Sequence, residues 1–463
     1  MKFSSLDLAP EIQQAINACG YSEMTPVQAQ ALVPARRGKD LLVNAQTGTG
    51  KTAAFALPIL QQMMDKPQDT IPGRPRALIL TPTRELAEQL AETIGAYAQF
   101  LPLSISAFYG GVKMGGQANK LKAGLDILIS TPGRLLEHMT LNNVTLASVE
   151  FVVLDEADRM LDMGFIADVQ TLLRHTAKKR QTLLFSATTS AAVNELSHKI
   201  LTNHQEIRVT AINSTADTVE HVMYPTEESR KIDLFKALLA QYNWYQVLVF
   251  TSTKEQADKL MAALKQSNID AGVCHGDKSQ GSRRRALADF KSAKLQVLIA
   301  TEVAARGLDI QGLDFVVNYN LPFLPEDYVH RIGRTGRAGA SGHAISFVSR
   351  EEEHTLERIQ KLIGTKIERI IKPGFEVSNR DSLLKNISRK PSSIRSNKAS
   401  ATEISSVNSS DAQPKGKPRR VKATENTVKS KKTPVNKPTR SKSNDNKPVD
   451  GERKRRILRG KRA

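Results

Sequence analysis

Asp40-Leu41-Leu42-Val43 runs almost directly into Ala45-Gln46-Thr47-Gly48-Thr49-Gly50-Lys51-Thr52, and an apolar, helix-compatible stretch follows. Strand, glycine-rich turn and helix in that order form a setting in which backbone N–H groups and a helix N-terminus cradle phosphate. Lys51 then reaches the β- and γ-phosphates, and the Thr52 hydroxyl reaches Mg²⁺. Ala45 stands where the usual pattern has glycine, a small residue in place of the smallest.

Outward from this loop, short apolar runs alternate with longer helical patterns. Ala77–Thr81, Asp126–Ser130, Phe151–Asp155 and Thr182–Ser186 read as buried strands of a parallel sheet, because both faces of each run are apolar. The pattern restarts after the polar stretch Asn213–Glu220 with Val247–Thr251, Gln296–Ala300, Phe315–Tyr319 and Ala344–Val348. The expected class is therefore α/β, with one domain over residues 1–212, a linker over 213–220 and a second domain over 221–372.

From Pro373 to Ala463 the composition changes to Ser, Asn, Lys, Arg, Thr and Pro, with Phe375 the only aromatic. Too little apolar surface is present to offset chain entropy, so a disordered tail is expected over 373–463. This stretch holds 25 Lys and Arg against 8 Asp and Glu, which is 17 of the chain's net +20. The body is nearly neutral, and the tail reads as a sequence-independent tether for a polyanion. The two cysteines, Cys19 and Cys274, point to neither a disulfide framework nor a zinc site, and so to a reducing, cytoplasmic setting. No apolar run approaches the about 20 residues of a spanning helix, and Met1–Gln14 has no leader pattern, so no membrane association is expected.

A nucleotide site also needs acid. Asp155-Glu156-Ala157-Asp158 follows Phe151-Val152-Val153-Leu154, at the end of a buried strand. Asp155 is placed to hold Mg²⁺ through water, and Glu156 to orient and deprotonate an attacking water.

With this tetrad the chain resembles the DEAD-box helicase family, and the remaining motifs occur in that family's order between residues 3 and about 350. The resemblance implies two tandem RecA-like domains, each a mostly parallel sheet flanked by helices, binding ATP, Mg²⁺ and RNA. Tyr21-Ser-Glu-Met-Thr-Pro-Val-Gln28 looks like the family's Q motif, with Tyr21 stacking on adenine and Gln28 reading its edge. Pro82-Thr83-Arg84, Gly110-Gly111 and Thr131-Pro132-Gly133-Arg134 match first-domain RNA contacts. Thr251, Gln280 with Arg283, and Thr301 match second-domain ones. By the same resemblance Ser186 and Thr188 couple the ATP and RNA sites, Gly307 and Asp309 contact the nucleotide, and His330 links the domains. Arg334 and Arg337 in His330-Arg-Ile-Gly-Arg-Thr-Gly-Arg337 are implied arginine fingers. Glu302 stands where the family commonly has Asp.

With the phosphate loop in one domain and the fingers in the other, hydrolysis is expected to require closure on RNA. The implied activity is local duplex separation or remodelling of RNA–protein complexes. The build looks most like the bacterial RhlE-type branch, which suggests ribosomal particles or RNA-decay proteins as partners. An ATP-gated RNA clamp or strand annealer would need the same motifs, and a DNA helicase is disfavoured by the resemblance alone.

Overall fold

The computed structural model describes residues 1–46, 48–209, 219–305, 310, 312–336 and 342–377. Seven strands of the first domain, β1 Leu41–Asn44, β2 Ala77–Leu80, β3 Ile105–Phe108, β4 Ile127–Ser130, β5 Phe151–Leu154, β6 Gln181–Ser186 and β7 Gln205–Arg208, pair in the order β3-β4-β2-β5-β6-β1-β7. The second domain contributes β8 Val219–Pro225, β9 Val247–Thr251, β10 Ala271–Cys274, β11 Val297–Thr301, β12 Phe315–Asn318, β13 Gly342–Val348 and β14 Glu368–Arg369, in the order β10-β11-β9-β12-β13-β8-β14. All pairings between these strands are parallel.

The reason the interior strands are apolar throughout is visible in how they divide between two cores. Leu41, Val43, Ile79, Ile129, Val153, Leu183 and Phe185 face one side of the first sheet, and Leu42, Leu78, Leu128, Val152, Leu154 and Leu184 face the other. A strand alternates its side chains between faces, so a sheet covered by helices on both sides demands apolar residues at every position. Each fully buried Leu, Ile, Val or Phe contributes about 1.5–3 kcal/mol relative to exposure. The second sheet repeats the scheme, with Val247, Val249, Val297 and Ile299 on one side and Leu248, Phe250, Leu298 and Ala300 on the other.

Two boundaries differ from the sequence reading. Val219 and Glu220, assigned above to the linker, open β8; the strand's polar Glu220 and His221 had hidden its start. Phe375, placed above in the tail, lies under the Arg230 guanidinium at 4.7 Å and packs against the second domain's core. The tail from residue 378 lies outside the described residues, as does most of the linker.

Candidate active site between the two domains

Parallel sheets expose loops at the carboxyl ends of their strands, and the first sheet sorts those loops by task. The phosphate loop follows β1, the acidic tetrad follows β5 and Ser186 ends β6; these three strands are neighbours. The segments holding Pro82, Gly111 and Thr131 follow β2, β3 and β4, which form the other half of the sheet.

At the nucleotide half, Gly50 caps the helix Lys51–Asp65 with φ +90°, and Gln28 lies so close that any Cβ at Gly50 would overlap its amide. Gln28 is buried and bonded at both ends of its amide: Thr25 N–H donates to Oε1 at 2.8 Å, and Nε2 donates to the Gly50 carbonyl at 3.1 Å. Thr49 Oγ1 donates to the Gln46 carbonyl at 2.7 Å, closing the loop on itself. Tyr21 is partly exposed, stacked on Phe3 at 6.2 Å, with its hydroxyl 3.4 Å from that of Tyr97. Ala45 is buried at the end of β1, while Gly48 and Thr52 keep access to solvent.

Lys51 is 7 % exposed and its Nζ has no hydrogen-bond partner. A buried ammonium without a partner is costly, so the site is shaped for an anion that supplies the missing acceptors. Asp155 shows the complementary need. Burial pushes its carboxyl up to about 6; Lys51 pulls it down, and the nearby Glu156 and Asp158 add to the rise. A cation bound at Asp155 would relieve that crowding of carboxylates, so Thr52 and Asp155 fit Mg²⁺ and Lys51 fits nucleotide phosphate. Glu156 holds the left-handed conformation, φ 54°, at the N-cap of the helix Ala157–Asp162. That conformation is strained for a residue with a side chain and is a recurrent feature of functional sites.

Asp158 is held by the backbone of the first domain. Its Oδ2 accepts from Ala187 N–H at 3.1 Å and Thr188 N–H at 3.0 Å, and Ser186 Oγ donates to the Thr188 carbonyl at 2.8 Å. A carboxylate of the tetrad thus grips the backbone that follows β6, where Ser186 and Thr188 lie.

At the RNA half, Thr83 caps the helix Arg84–Tyr97 by accepting from Leu86 N–H at 3.3 Å, with Pro82 buried just before it. Gly111 has φ +79°, and the Arg84 guanidinium occupies the space a Cβ would need. Arg134 reaches the same loop, donating through Nη1 to the Val112 carbonyl at 3.2 Å and to Gln117 Oε1 at 3.2 Å. Thr131 is the N-cap of the helix Pro132–Thr140, and open space surrounds Gly133. These groups form a basic, glycine-lined surface suited to backbone phosphates.

The second domain meets this surface directly. Arg283 pairs with Glu85 at 2.8 Å, with both side chains under 9 % exposed, and Gln280 Nε2 donates to the same carboxylate at 3.2 Å. Arg283, expected at the RNA, is thus held by the opposite domain. Thr251 is buried, its hydroxyl donating to the Thr253 carbonyl at 3.2 Å, and Thr301 is half-buried at the end of β11.

A second bridge joins Arg159, immediately after the tetrad, to Asp327 on the helix Pro325–Ile332 that also carries His330. Burial works against the Arg159 charge, and Asp327, with Asp158 and Glu302, more than offsets it, leaving its pKa raised. The next turn holds Arg331, which donates to Glu302 at 2.6 Å and to the Asn320 carbonyl at 2.7 Å. Arg334 is buried nearby, its carbonyl accepting from Leu313 N–H at 3.1 Å. Thr47, Gly307, Asp309 and Arg337 lie outside the described residues.

Sequence reading missed Arg159, Asp327 and Glu88, and it placed Glu85 within a motif without its partner Arg283. The first two flank recognised motifs, which was the available signal, but no pattern in one chain pairs residues 168 apart.

Comparison with known proteins agrees with this geometry. A DEAD/DEAH box helicase model matches residues 25–196, and a helicase conserved C-terminal domain model matches residues 230–339. ATP-dependent RNA helicase RhlB of Pseudomonas syringae pv. tomato is 41 % identical over 371 residues, 79 % of this chain and 94 % of that one. DEAD-box ATP-dependent RNA helicase CshA of Bacillus subtilis is 38 % identical over 374 residues, 81 % of this chain and 75 % of that one. These names are not of the RhlE type, so that branch remains a reading of the sequence. Among solved structures, S. cerevisiae Dbp5 bound to RNA and ADP BeF3 has a TM-score of 0.70 and 31 % identity, covering 84 % of this chain and 99 % of that one. The motifs in their order, two parallel-sheet domains meeting at the site and these relatives together establish that the chain belongs to the DEAD-box family of ATP-dependent RNA helicases.

Proposed function

We propose that this enzyme separates short RNA duplexes locally, or strips protein from RNA, by closing its two domains over one strand and reopening after ATP hydrolysis. The observation that carries the nucleotide half is the buried, partnerless Lys51 ammonium beside a carboxylate that burial holds at about 6. Lys51 holds phosphate, Thr52 and Asp155 hold Mg²⁺, and Glu156 takes the proton of the attacking water. Mg²⁺, when bound, neutralises charge developing on the transferred phosphoryl group. Arg334 and Arg337, both by family resemblance, add positive charge from the second domain, which makes turnover conditional on closure.

The two inter-domain ion pairs, Arg283–Glu85 and Arg159–Asp327, support a closed state reached as one unit. The Dbp5 complex, which holds RNA and ADP BeF3, supports the same arrangement here. Structured RNAs of ribosomal particles or the RNA-decay machinery, in the cytoplasm, are the targets this reading expects.

The test compares ATPase stimulation by RNA and by DNA of matched sequence, together with displacement of a strand from a short duplex. RNA alone should stimulate, and displacement should require ATP. Glu156→Gln should bind ATP and retain RNA while losing turnover. Equal stimulation by DNA would refute the substrate assignment, and ATPase without displacement would favour the clamp.

A further inference from the structure

Beside the Arg283–Glu85 pair lies a second set of contacts that none of the motifs includes. The helix Arg84–Tyr97 presents Glu85, Glu88 and Glu92 at spacings of three and four, a single face. Opposite it, the helix Gln280–Lys291 presents Arg284 and Lys291, and the two faces line a cleft of about 670 Å³. Arg284 Nε donates to Glu88 Oε2 at 3.0 Å, and its Nη2 donates both to Glu88 Oε1 and to the Tyr109 hydroxyl. Burial, with Glu88 adding to it, pushes the Tyr109 hydroxyl's pKa well up, so it stays a phenol.

Tyr109 is the residue before Gly110-Gly111, the loop on which the Arg84 guanidinium rests. Its carbonyl accepts from Gln117 Nε2 at 3.1 Å, and Gln117 Oε1 accepts from Arg134 at 3.2 Å and lies 3.0 Å from His138 Nε2. The first domain therefore fixes this loop at the Tyr109 carbonyl and, through Arg134, at Val112. The Tyr109 ring is buried, and its hydroxyl is the end that the second domain grips.

We propose that Arg284, acting through Glu88 and Tyr109, is a positioning latch by which closure of the second domain sets the geometry of the RNA-contacting Gly110-Gly111 loop. It goes beyond the motif contacts and rests on the closure reading above. A planar guanidinium suits this role, since its fork spans a carboxylate and a hydroxyl at once, which a lysine ammonium would not hold in one orientation. With the Arg284 side chain 55 % exposed and Glu88 20 %, the pair is partly screened, so its loss should shift RNA binding modestly.

Charge exchange in the full chain tests this. Arg284→Glu places like charges together and should raise the RNA concentration for half-maximal ATPase on the order of 10-fold. Glu88→Arg should do the same, with turnover at saturating RNA and the Tm near those of the parent. The double exchange should return the RNA requirement to within about 3-fold of the parent, because the pair is restored in reverse. Tyr109→Phe should raise it about 3-fold and add nothing to Arg284→Ala. If a single exchange lowers the Tm, non-additivity of Tyr109→Phe with Arg284→Ala decides the matter. Single exchanges that leave the RNA requirement unchanged, or a double exchange as impaired as both singles combined, overturn the latch. An unmutated chain whose ATPase ignored RNA would instead bring down the closure reading, and the latch with it.

Discussion

Gln28 holds two posts at once. Its amide braces the start of the helix Pro26–Arg36 at Thr25 and the phosphate loop at Gly50, using one acceptor site and one N–H and leaving the second of each for an adenine edge. A guanine edge carries acceptors at both O6 and N7, so the Gln28 Oε1 would face another acceptor where adenine offers the N6 donor, at about 1–3 kcal/mol for each unpaired buried group. The unmutated chain should therefore favour ATP over GTP by about 10-fold or more in kcat/KM. Gln28→Glu should lose that preference and also loosen the loop, since a carboxylate cannot donate to the Gly50 carbonyl. Equal kcat/KM for ATP and GTP in the unmutated chain would show that Gln28 is a brace and nothing more. The motif pattern revealed the identity of this residue and its neighbourhood. Its present partners were not legible, because both are backbone groups that every residue offers alike.

Among elements, the helix Pro325–Ile332 does the most with the fewest residues. Asp327 in its first turn meets Arg159 across the domain boundary, and His330 and Arg331 follow one turn later, so one ion pair docks the helix that leads to Arg334. Both partners are under 9 % exposed when the domains meet, and since Arg159 also pairs with Asp162 at 3.2 Å, removing Asp327 costs less than the about 3–5 kcal/mol of a fully unpaired buried charge. That cost falls on the closed state alone if opening lets water reach Arg159. Asp327→Ala should accordingly leave the Tm and ATP affinity close to the parent and cut RNA-stimulated turnover on the order of 100-fold. Arg159→Ala combined with Asp327→Ala should be no worse than Asp327→Ala alone; an additive loss would place the two residues in separate roles. The strands show where sequence reading succeeds. Every run identified from sequence, from Asp40–Val43 to Ala344–Val348, became an interior strand, whereas β3, β7, β10 and β14 are the four sheet edges and β8 adjoins one of them. Two of these edges, Gln205–Arg208 and Glu368–Arg369, carry exposed polar residues that resemble a loop in composition, while Ile105–Phe108 and Ala271–Cys274 are short and mix apolar with small residues.

For the whole molecule, the division of labour lies between a nearly neutral body and a basic tail rooted where Phe375 packs under Arg230. A tail that binds phosphates releases counterions, with a slope of roughly −0.7 per contact on single strands, and raises the local RNA concentration without reshaping the site. A chain ending at Val377, which keeps the Phe375 contact, should retain its maximal RNA-stimulated ATPase. It should need more RNA to reach half of that rate, and its salt dependence should be shallower. Unchanged RNA demand and salt slope at low ionic strength would assign the tail to solubility alone. The family was legible because its motifs are runs of fixed local residue types, such as Asp155-Glu156-Ala157-Asp158. The meeting of the domains was not, since it is written in pairs such as Glu88–Arg284 whose members are unremarkable by themselves. The cleft between the Glu88 and Arg284 faces also has a pharmacological meaning. It is built from both domains and lies apart from the nucleotide loop, so a small molecule filling it would act as glue rather than as an ATP competitor. Such a compound would trap the enzyme on its transcript as a roadblock, and its potency would rise, not fall, with the ATP supply.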